Sequence, residues 1–330
     1  MSNPTFAGGA ALRKFCSSIP VLISLLTVTV MANHGPGTSG GGSSTASGET
    51  MKQGGAEVTF RLDYTQFEDI TNSEAARLAR KAGEFDALSD SLVATIEAAY
   101  GITNDFQLGG QIGYYWGSGF VSAASENGVD VEQATADPEG LTDLWITGKY
   151  RILKGKPGHL SVIGGVKLPT GRDDVKLSNG EKLEPSSQPG SGSYDFQLGA
   201  AYSRFLTSQL TIDASAIYTF RTEHDGFEVG DRFDFGTALA YRITESIKAF
   251  PQYSVFGELT GVWLGKDHSD EEGTNPNSGG TTLYITPGLR IRFNPQWSLT
   301  TAISIPIMQD LNGEQIESTY KASLAVSWSL

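Results

Sequence analysis

The last eleven residues of the chain alternate between two kinds of side chain. From Tyr320 to Leu330, large or apolar residues occupy the even positions, and small or polar residues occupy the odd positions. A period of two places successive side chains on opposite faces of an extended backbone. The segment therefore predicts a β-strand with one apolar face, which is typical of the closing strand of an outer-membrane barrel.

The same alternation recurs along the chain after residue 55. In the first such segment Val58 and Phe60 share one face, while Arg61 lies on the other. The pattern predicts an all-β fold, a twelve-stranded antiparallel transmembrane up-and-down β-barrel of the outer membrane. Ten or fourteen strands remain possible, because the stretch 247–263 contains Pro251 and could be bent or split. The predicted strands cover 56–65, 91–100, 106–116, 143–153, 160–168, 194–204, 210–221, 232–242, 247–259, 282–293, 297–308 and 319–330.

The connections between these strands alternate between short and long. The short ones are rich in Gly, Pro, Asn, Ser and Thr and cover 101–105, 154–158, 205–209, 244–246 and 294–296. The long ones cover 68–90, 117–142, 169–193, 222–231, 260–281 and 309–318. Single-chain barrels have short periplasmic turns and long outer loops, so the alternation distinguishes the two ends. In the first long loop, 73–84 predicts a short helix with Ser73 as its N-cap.

Aromatic residues recur near the ends of the even-numbered strands, where the chain returns to the periplasm. Aromatic side chains are enriched at the headgroup level of membranes, and a preference for β-structure alone would not fix them at one strand end. We therefore predict an aromatic girdle at the periplasmic edge, formed by Tyr100, Tyr150, Tyr202, Tyr241, Phe293 and Trp328.

The face opposite the apolar face carries ions of both signs. A charge on the lipid side would cost about 2–4 kcal/mol near the bilayer midplane, so these side chains should face the interior. There they line the lumen and determine which solutes pass, or they fill a narrow interior as structural ion pairs. The predicted lumen-lining and selectivity residues are Arg61, Asp63, Asp143, Trp145, Lys149, Lys167, Arg221, Glu258, Arg290 and Lys321.

The amino end predicts an export signal followed by a tail. Arg13 and Lys14 precede the apolar stretch 19–31, and Ala32 suits a cleavage site, so 1–32 is predicted to be a signal peptide. An uncleaved inner-membrane anchor is the alternative. Residues 33–55 have the Gly/Ser-rich composition of a flexible periplasmic tail, which could instead thread into the barrel mouth. The barrel domain then covers 56–330.

Composition and motifs argue against several kinds of chemistry. With 37 acidic and 24 basic residues the net charge is −13, which argues against nucleic-acid partners. The long loops are acidic, yet no regular calcium-binding loop is present, so we expect no metal site and no cofactor. His159 and Ser161 share a strand face and are the nearest match to an outer-membrane phospholipase site. They lie beside a periplasmic turn, the wrong end for that chemistry, so we expect no enzyme.

Three motifs resemble a known family. The segments 140–151 (GLTDLWITGKYR), 168–172 (LPTGR) and 188–195 (QPGSGSYD) are similar to recurring motifs of the MetA-pathway phenol-degradation family of outer-membrane β-barrel transporters. The resemblance covers most of the chain after residue 56. It implies an outer-membrane barrel that passes small, aromatic compounds, and the family has no catalytic residues to carry over.

These observations predict a bacterial outer-membrane channel for passive uptake of small, aromatic or amphipathic solutes. The alternatives are a non-conducting structural or adhesive barrel with acidic outer loops, and a lipid hydrolase. The expected partners are outer-membrane lipid and lipopolysaccharide, the barrel-assembly machinery and a small permeant, with no nucleic acid.

Overall fold

The computed structural model describes residues 41–125 and 128–330, so the predicted signal peptide and residues 33–40 lie outside the described part of the chain. Twelve long antiparallel strands form one closed sheet, in which each strand pairs with its neighbours in sequence and the first pairs with the last. The strands are β1 (Ala56–Phe67), β2 (Asp90–Gly101), β3 (Phe106–Ser118), β4 (Leu144–Gly155), β5 (Gly158–Leu168), β6 (Asp195–Phe205), β7 (Leu210–Phe220), β8 (Arg232–Arg242), β9 (Gln252–Leu264), β10 (Gly280–Arg292), β11 (Trp297–Leu311) and β12 (Ser318–Ser329).

The closed twelve-stranded barrel confirms the predicted fold class and strand count. The largest boundary error concerns β9, which was predicted at 247–259 and begins at Gln252. Pro251 has no backbone N–H to donate to the ladder, so the strand begins after it. The residues before it form a longer turn, in which Arg242 Nη1 donates to the carbonyl of Thr244 (2.5 Å) and the Tyr253 amide donates to Thr244 Oγ1 (3.0 Å).

The two faces of the barrel wall have opposite character. Phe60 pairs with Ile96 on the outer face, where the two side chains are 47% and 56% exposed, while the adjacent Arg61 is 6% exposed. The same alternation holds on neighbouring strands, with Leu198 exposed and Gln197 buried. An apolar exterior around a polar interior is the inverse of a soluble protein and suits a barrel surrounded by lipid.

The long loops pack into a cap at one end of the barrel. Its α-helix α1 (Asn72–Ala82) faces a three-stranded sheet of Glu84–Ala87, Phe120–Ala124 and Glu132–Ala136. Buried Phe67, Phe85 and Phe120 belong to one apolar cluster that also includes residues of the loop 169–194. The remaining short elements are Glu139–Leu141, which extends the pairing of β3, the 3₁₀ turn Pro185–Ser187, and the strands Phe227–Glu228, His268–Ser269 and Gly273–Thr274.

The helix prediction was correct in place, but its N-cap was wrong. Thr71 caps the helix, because its backbone is extended and its Oγ1 accepts a hydrogen bond from the Glu74 amide (3.2 Å). Ser73 lies in the first turn instead. Within residues 41–125 and 128–330, no helix has the length and apolar character needed to cross a membrane.

Residues 41–55 do not extend away from the barrel as a flexible tail. Ser43, Thr45, Ala46, Ser47 and Met51 are each at most 5% exposed, and the segment hydrogen-bonds to inward-facing side chains of the barrel wall. The alternative prediction, threading into the barrel, describes this part of the chain. Gly has no side chain and Ser has a small one, so the backbone of this segment fits a narrow lumen, and its composition resembles that of a linker. We call residues 41–55 the lumen segment.

Candidate functional site

The lumen segment is held at its amino end by one carboxylate. Glu258 on β9 accepts hydrogen bonds from the amides of Ser44 (3.1 Å) and Thr45 (2.9 Å) and from Ser43 Oγ (3.2 Å). Hydrogen bonds to a charged group are worth about 1.5–3 kcal/mol each. Glu258, which is 2% exposed, is therefore the strongest single anchor of the segment.

Three predicted lumen cations hold the carbonyl groups of the same segment. They lie on β1, β4 and β10, so the contacts come from different sides of the barrel wall. The sheet surrounds the segment, and each cation donates a hydrogen bond to one of its backbone carbonyls. The bonds run from Arg61 Nη1 to Ser43 O (2.6 Å), from Lys149 Nζ to Ser47 O (3.1 Å) and from Arg290 Nη2 to Gly42 O (3.1 Å).

Hydroxyl groups complete the contacts nearer the short turns. Ser203 Oγ accepts from the Gly48 amide (2.7 Å), and Ser161 Oγ donates to the Gly48 carbonyl (2.7 Å). Gly48 has no room for a side chain, because an added Cβ would lie 2.4 Å from the His159 carbonyl. Several hydrogen bonds, each made by a small polar group, thus hold the segment in this part of the lumen.

A second polar network lies where the wall meets the loop 169–194. Asp143 accepts from the amides of Gly171 (2.9 Å) and Ser191 (3.0 Å), which belong to opposite ends of that loop. Lys167 Nζ lies 3.3 Å from Asp143 and 2.6 Å from Asp195. Asp143 and Asp195 come from the motifs that resemble the family, and Lys167 directly precedes one of them. They fix the loop across the lumen.

A cavity of about 60 Å³, which we call the lumen cavity, lies beside this network and has room for about four waters. Trp145, which is 5% exposed, contributes an aromatic side of the cavity, and Val93 contributes an aliphatic one. Arg221 also lines the cavity, and Lys167 enters it already paired with two carboxylates. Thr219 Oγ1 is buried there without a hydrogen-bond partner. The lining therefore combines apolar side chains with polar groups.

All ten predicted lumen residues lie on the inner face, in three places. Arg61, Lys149, Glu258 and Arg290 hold the lumen segment, and Asp63 pairs with Arg61 at 2.7 Å. Lys321 is separate, with its Nζ 4.6 Å from the centre of the Tyr284 ring. The remaining four, Asp143, Trp145, Lys167 and Arg221, line the cavity.

The predicted girdle residues lie at the end of the barrel that carries the short turns. Tyr100, Tyr150, Tyr241 and Phe293 are about half exposed on the outer surface. Tyr150 lies five residues before the end of β4, yet it pairs with Phe106 at the start of β3 and so shares the level of the others. Tyr202 and Trp328 are less exposed, and Trp328 lies 6.3 Å from the ring of Trp297.

Other contributors could not be identified from the sequence. The partners of Glu258 precede it by 213 to 215 positions, so no local pattern connects them. Ser161, Ser203 and Thr219 occupy inward positions, but serine and threonine are common on any barrel interior. Their inward position follows from the strand alternation. Their contacts with the lumen segment or the cavity can be seen only in the folded structure.

The residues considered for lipid hydrolysis also contact the lumen segment. Ser161 Oγ donates to Gly48, as described above, and His159 Nε2 lies 3.6 Å from Glu49 Oε1. Both side chains point into the barrel at the end with short turns, away from lipid. Their observed contacts are with the polypeptide itself.

Comparisons with known proteins identify the fold and the family. A family model described as "Putative MetA-pathway of phenol degradation" matches residues 36–307. The COG4313 outer membrane channel from Pseudomonas putida F1 is similar with a TM-score of 0.60 and 14% sequence identity, over 86% of this chain and 97% of that chain. The translocator domain of the autotransporter NalP from Neisseria meningitidis gives a TM-score of 0.46 and 12% identity, over 84% and 88%. No curated protein matches the sequence. The first structural similarity establishes an outer-membrane barrel fold.

Proposed function

The chain belongs to the MetA-pathway phenol-degradation family, and from this premise we propose that it is an outer-membrane channel for passive uptake of small, aromatic or amphipathic solutes. The observation that carries the proposal is the lumen itself. A cavity with an aromatic wall lies behind the outer cap, and the path beyond it is occupied by a segment held through hydrogen bonds. Displacing that segment opens a polar passage toward the periplasm.

The lumen segment has the properties of a removable plug. It joins the wall covalently only through its carboxyl end at β1, and Gly, Ser and Thr make up ten of its fifteen residues. Each hydrogen bond it makes can be exchanged for one with water, so release costs far less than extraction of an apolar core. We infer that the channel is closed in the state described here and conducts when the segment leaves the lumen.

A deletion tests this proposal directly. In the variant, the predicted signal peptide is joined to Met51, so that residues 33–50 are absent. Single-channel recording in planar bilayers should show a conductance several-fold larger than that of the full-length barrel. If neither protein conducts ions, with or without aromatic solutes, the channel proposal is wrong.

Solute entry gives a second measurement. Proteoliposomes containing the full-length protein should accumulate radiolabelled phenol or toluene faster than protein-free liposomes. This protein-dependent increase in rate should be larger for phenol and toluene than for benzoate. Lys167 is already neutralised by Asp143 and Asp195, so it offers no free cation to an aromatic acid. Equal rates for all three solutes would contradict the proposed preference.

A non-conducting adhesive barrel is the competing proposal, and the filled lumen favours it. The packed cap of α1 and three short strands also presents a defined outer surface. The deletion experiment distinguishes the two proposals, because removing residues 33–50 should not make an adhesive barrel conduct. Retained cell adhesion without conductance in both proteins would support the adhesive alternative.

We further propose the export route and the surroundings of the barrel. The signal peptide 1–32 is removed, outer-membrane lipid and lipopolysaccharide surround the apolar face, and the barrel-assembly machinery inserts the protein. The exposed Tyr100, Tyr150, Tyr241 and Phe293 would lie at the periplasmic headgroup level. The contacts of His159 and Ser161 with the lumen segment support a protein without lipase activity. Amino-terminal sequencing of the purified protein should begin at Asn33.

A further inference from the structure

Side chains of the barrel wall hydrogen-bond to the main chain of the lumen segment along its length. Residues 41–50 form neither helix nor strand, so their amides and carbonyls are available to the wall. Arg290, Arg61, Lys149 and Ser161 donate to its carbonyl groups, and Glu258 accepts from two of its amides. Further bonds run from the amides of Ala46 to Ser215 Oγ (3.1 Å), of Gly48 to Ser203 Oγ (2.7 Å) and of Met51 to Gln107 Oε1 (2.9 Å).

Contacts of this kind do not depend on the covalent bond between the segment and the wall. The segment joins β1 at residue 55, and the groups held by Glu258 lie ten or more positions earlier in the chain. Every peptide carries the same amide and carbonyl groups, one of each per residue. A separate peptide of suitable shape therefore offers the wall the same hydrogen-bonding groups as the tethered segment.

The space inside the wall limits the side chains that such a peptide can carry. A Cβ added to Gly42 would lie 1.5 Å from Glu258 Oε1, which the amides of residues 44 and 45 hold in place. At Gly48 the obstacle is the backbone carbonyl of His159, 2.4 Å away. Ala46 is fully buried and packs against Ile163, Ala201 and Ile217. The lumen thus fits glycine at two positions six apart and small residues between them.

We propose that the lumen is a binding site for separate peptides of small residues, chiefly Gly, Ala, Ser and Thr, which compete with the lumen segment. The inference rests on the proposed function, because the segment must leave before another peptide can enter. The cap and the loop 169–194 cover the outer end, so peptides would enter beside the short turns, from the periplasm. A bound peptide would keep the passage closed.

Cutting the chain after folding tests this proposal on the complete barrel. Lys52, Gln53 and Gly54 are exposed, so a recognition sequence for a site-specific protease can be inserted after Gln53. Cleavage of the folded, detergent-purified protein converts the part before the insertion into a separate peptide. We expect this fragment to elute with the barrel in rapid gel filtration and to leave during extended washing. A fragment that resists washing would already show binding without the covalent link.

Rebinding to the washed barrel identifies the features that are recognised. A fluorescent synthetic peptide of residues 41–53 should bind with a saturable rise in anisotropy, one peptide per barrel. The same peptide with Gly48→Leu should bind roughly ten-fold or more weakly, because the new side chain meets backbone atoms of the wall. In the cut barrel, Glu258→Ala should weaken binding of the unmodified peptide by a similar factor. A peptide of D-residues has the same composition and charge in mirror-image form and should not bind.

The protein before cleavage provides the matched control. Its tethered segment has an effective concentration in the millimolar range, so the labelled peptide should bind roughly ten-fold or more weakly than to the washed barrel. If the fragment leaves and the peptide does not bind, or if the D-peptide binds equally well, the proposal is wrong, whether or not the barrel conducts. If the peptide binds but the washed barrel passes no current, the binding site stands and the channel proposal fails.

Discussion

At the scale of single residues, Glu258 controls the contact between the lumen segment and the wall. Its carboxylate accepts three hydrogen bonds from residues 43–45. Replacing it by alanine removes an anchor worth about 1.5–3 kcal/mol or more, so the segment should leave the lumen ~10-fold more often. We therefore expect Glu258→Ala to raise the open probability in single-channel recordings ~10-fold.

Two further variants show whether the hydrogen bonds are responsible. Glu258→Gln keeps a side-chain oxygen but loses the charge, and it should give an intermediate open probability. Glu245→Ala removes an exposed glutamate from a periplasmic turn and should behave as the wild type. Equal open probability in Glu258→Ala and the wild type, with both barrels folded, would exclude Glu258 as the anchor.

Thr219 provides a second prediction at this scale. Its Oγ1 is buried in the lumen cavity without a partner, whereas Thr211 on the same strand has a similarly unpartnered hydroxyl outside that cavity. One hydrogen bond to a permeant is worth about 0.5–1.5 kcal/mol. Thr219→Val should therefore slow phenol uptake into proteoliposomes ~2- to 10-fold and leave toluene uptake unchanged. Thr211→Val should change neither rate; a loss of both rates in Thr219→Val would indicate a blocked cavity.

At the scale of elements, Asp143 fixes the loop 169–194 across the lumen. It accepts from the amides of Gly171 and Ser191 and pairs with Lys167. In Asp143→Asn the amide side chain loses the charge and half of the acceptor capacity, so the loop should open more often. Trypsin added to intact cells should then cleave this loop, at Arg172, Lys176 or Lys182, at least several-fold faster.

The same loop offers a control for that prediction. Asp173 is also on the loop, but its closest basic partners, Lys182 and His224, lie 3.9 and 3.7 Å away and are partly exposed. Exposed pairs contribute about 0–1 kcal/mol, so Asp173→Asn should be cleaved at the wild-type rate. Faster cleavage in this control than in Asp143→Asn would show that the exposed ion pairs of Asp173, and not the contacts of Asp143, hold the loop closed.

At the scale of the whole molecule, the barrel should not need its plug. The closed ladder runs from β1 through β12 and back without a contribution from residues 41–53. The variant without residues 33–50 should therefore keep its far-ultraviolet circular dichroism and its heat-modifiable gel mobility. Its melting temperature should fall, because Arg61, Lys149 and Arg290 lose buried partners. Loss of heat-modifiable mobility would show that the segment is part of the folding core.

The sequence by itself determined the wall of this protein. Strand alternation has a period of two, so a charge such as Arg290 is assigned to the interior once its apolar neighbours Leu289 and Ile291 are assigned to lipid. The inward position of the ten lumen residues follows from this local rule, and the two ends of the barrel follow from the alternating lengths of the connections. The choice of twelve strands over ten or fourteen needed the closed sheet. Where a local signal was ambiguous, as before Pro251, the boundary moved by five residues.

Only the tertiary structure decided what lies inside the wall and above it. Residues 41–55 have the composition of a linker, and their place in the lumen depends on partners such as Glu258 that are more than two hundred positions away. Glu84, Glu184 and Asp267 belong to three different long loops of the sequence, and only the cap brings them around one cavity. Side-chain alternation is encoded by neighbours in sequence, whereas the filling of a closed space depends on which distant segments meet in it.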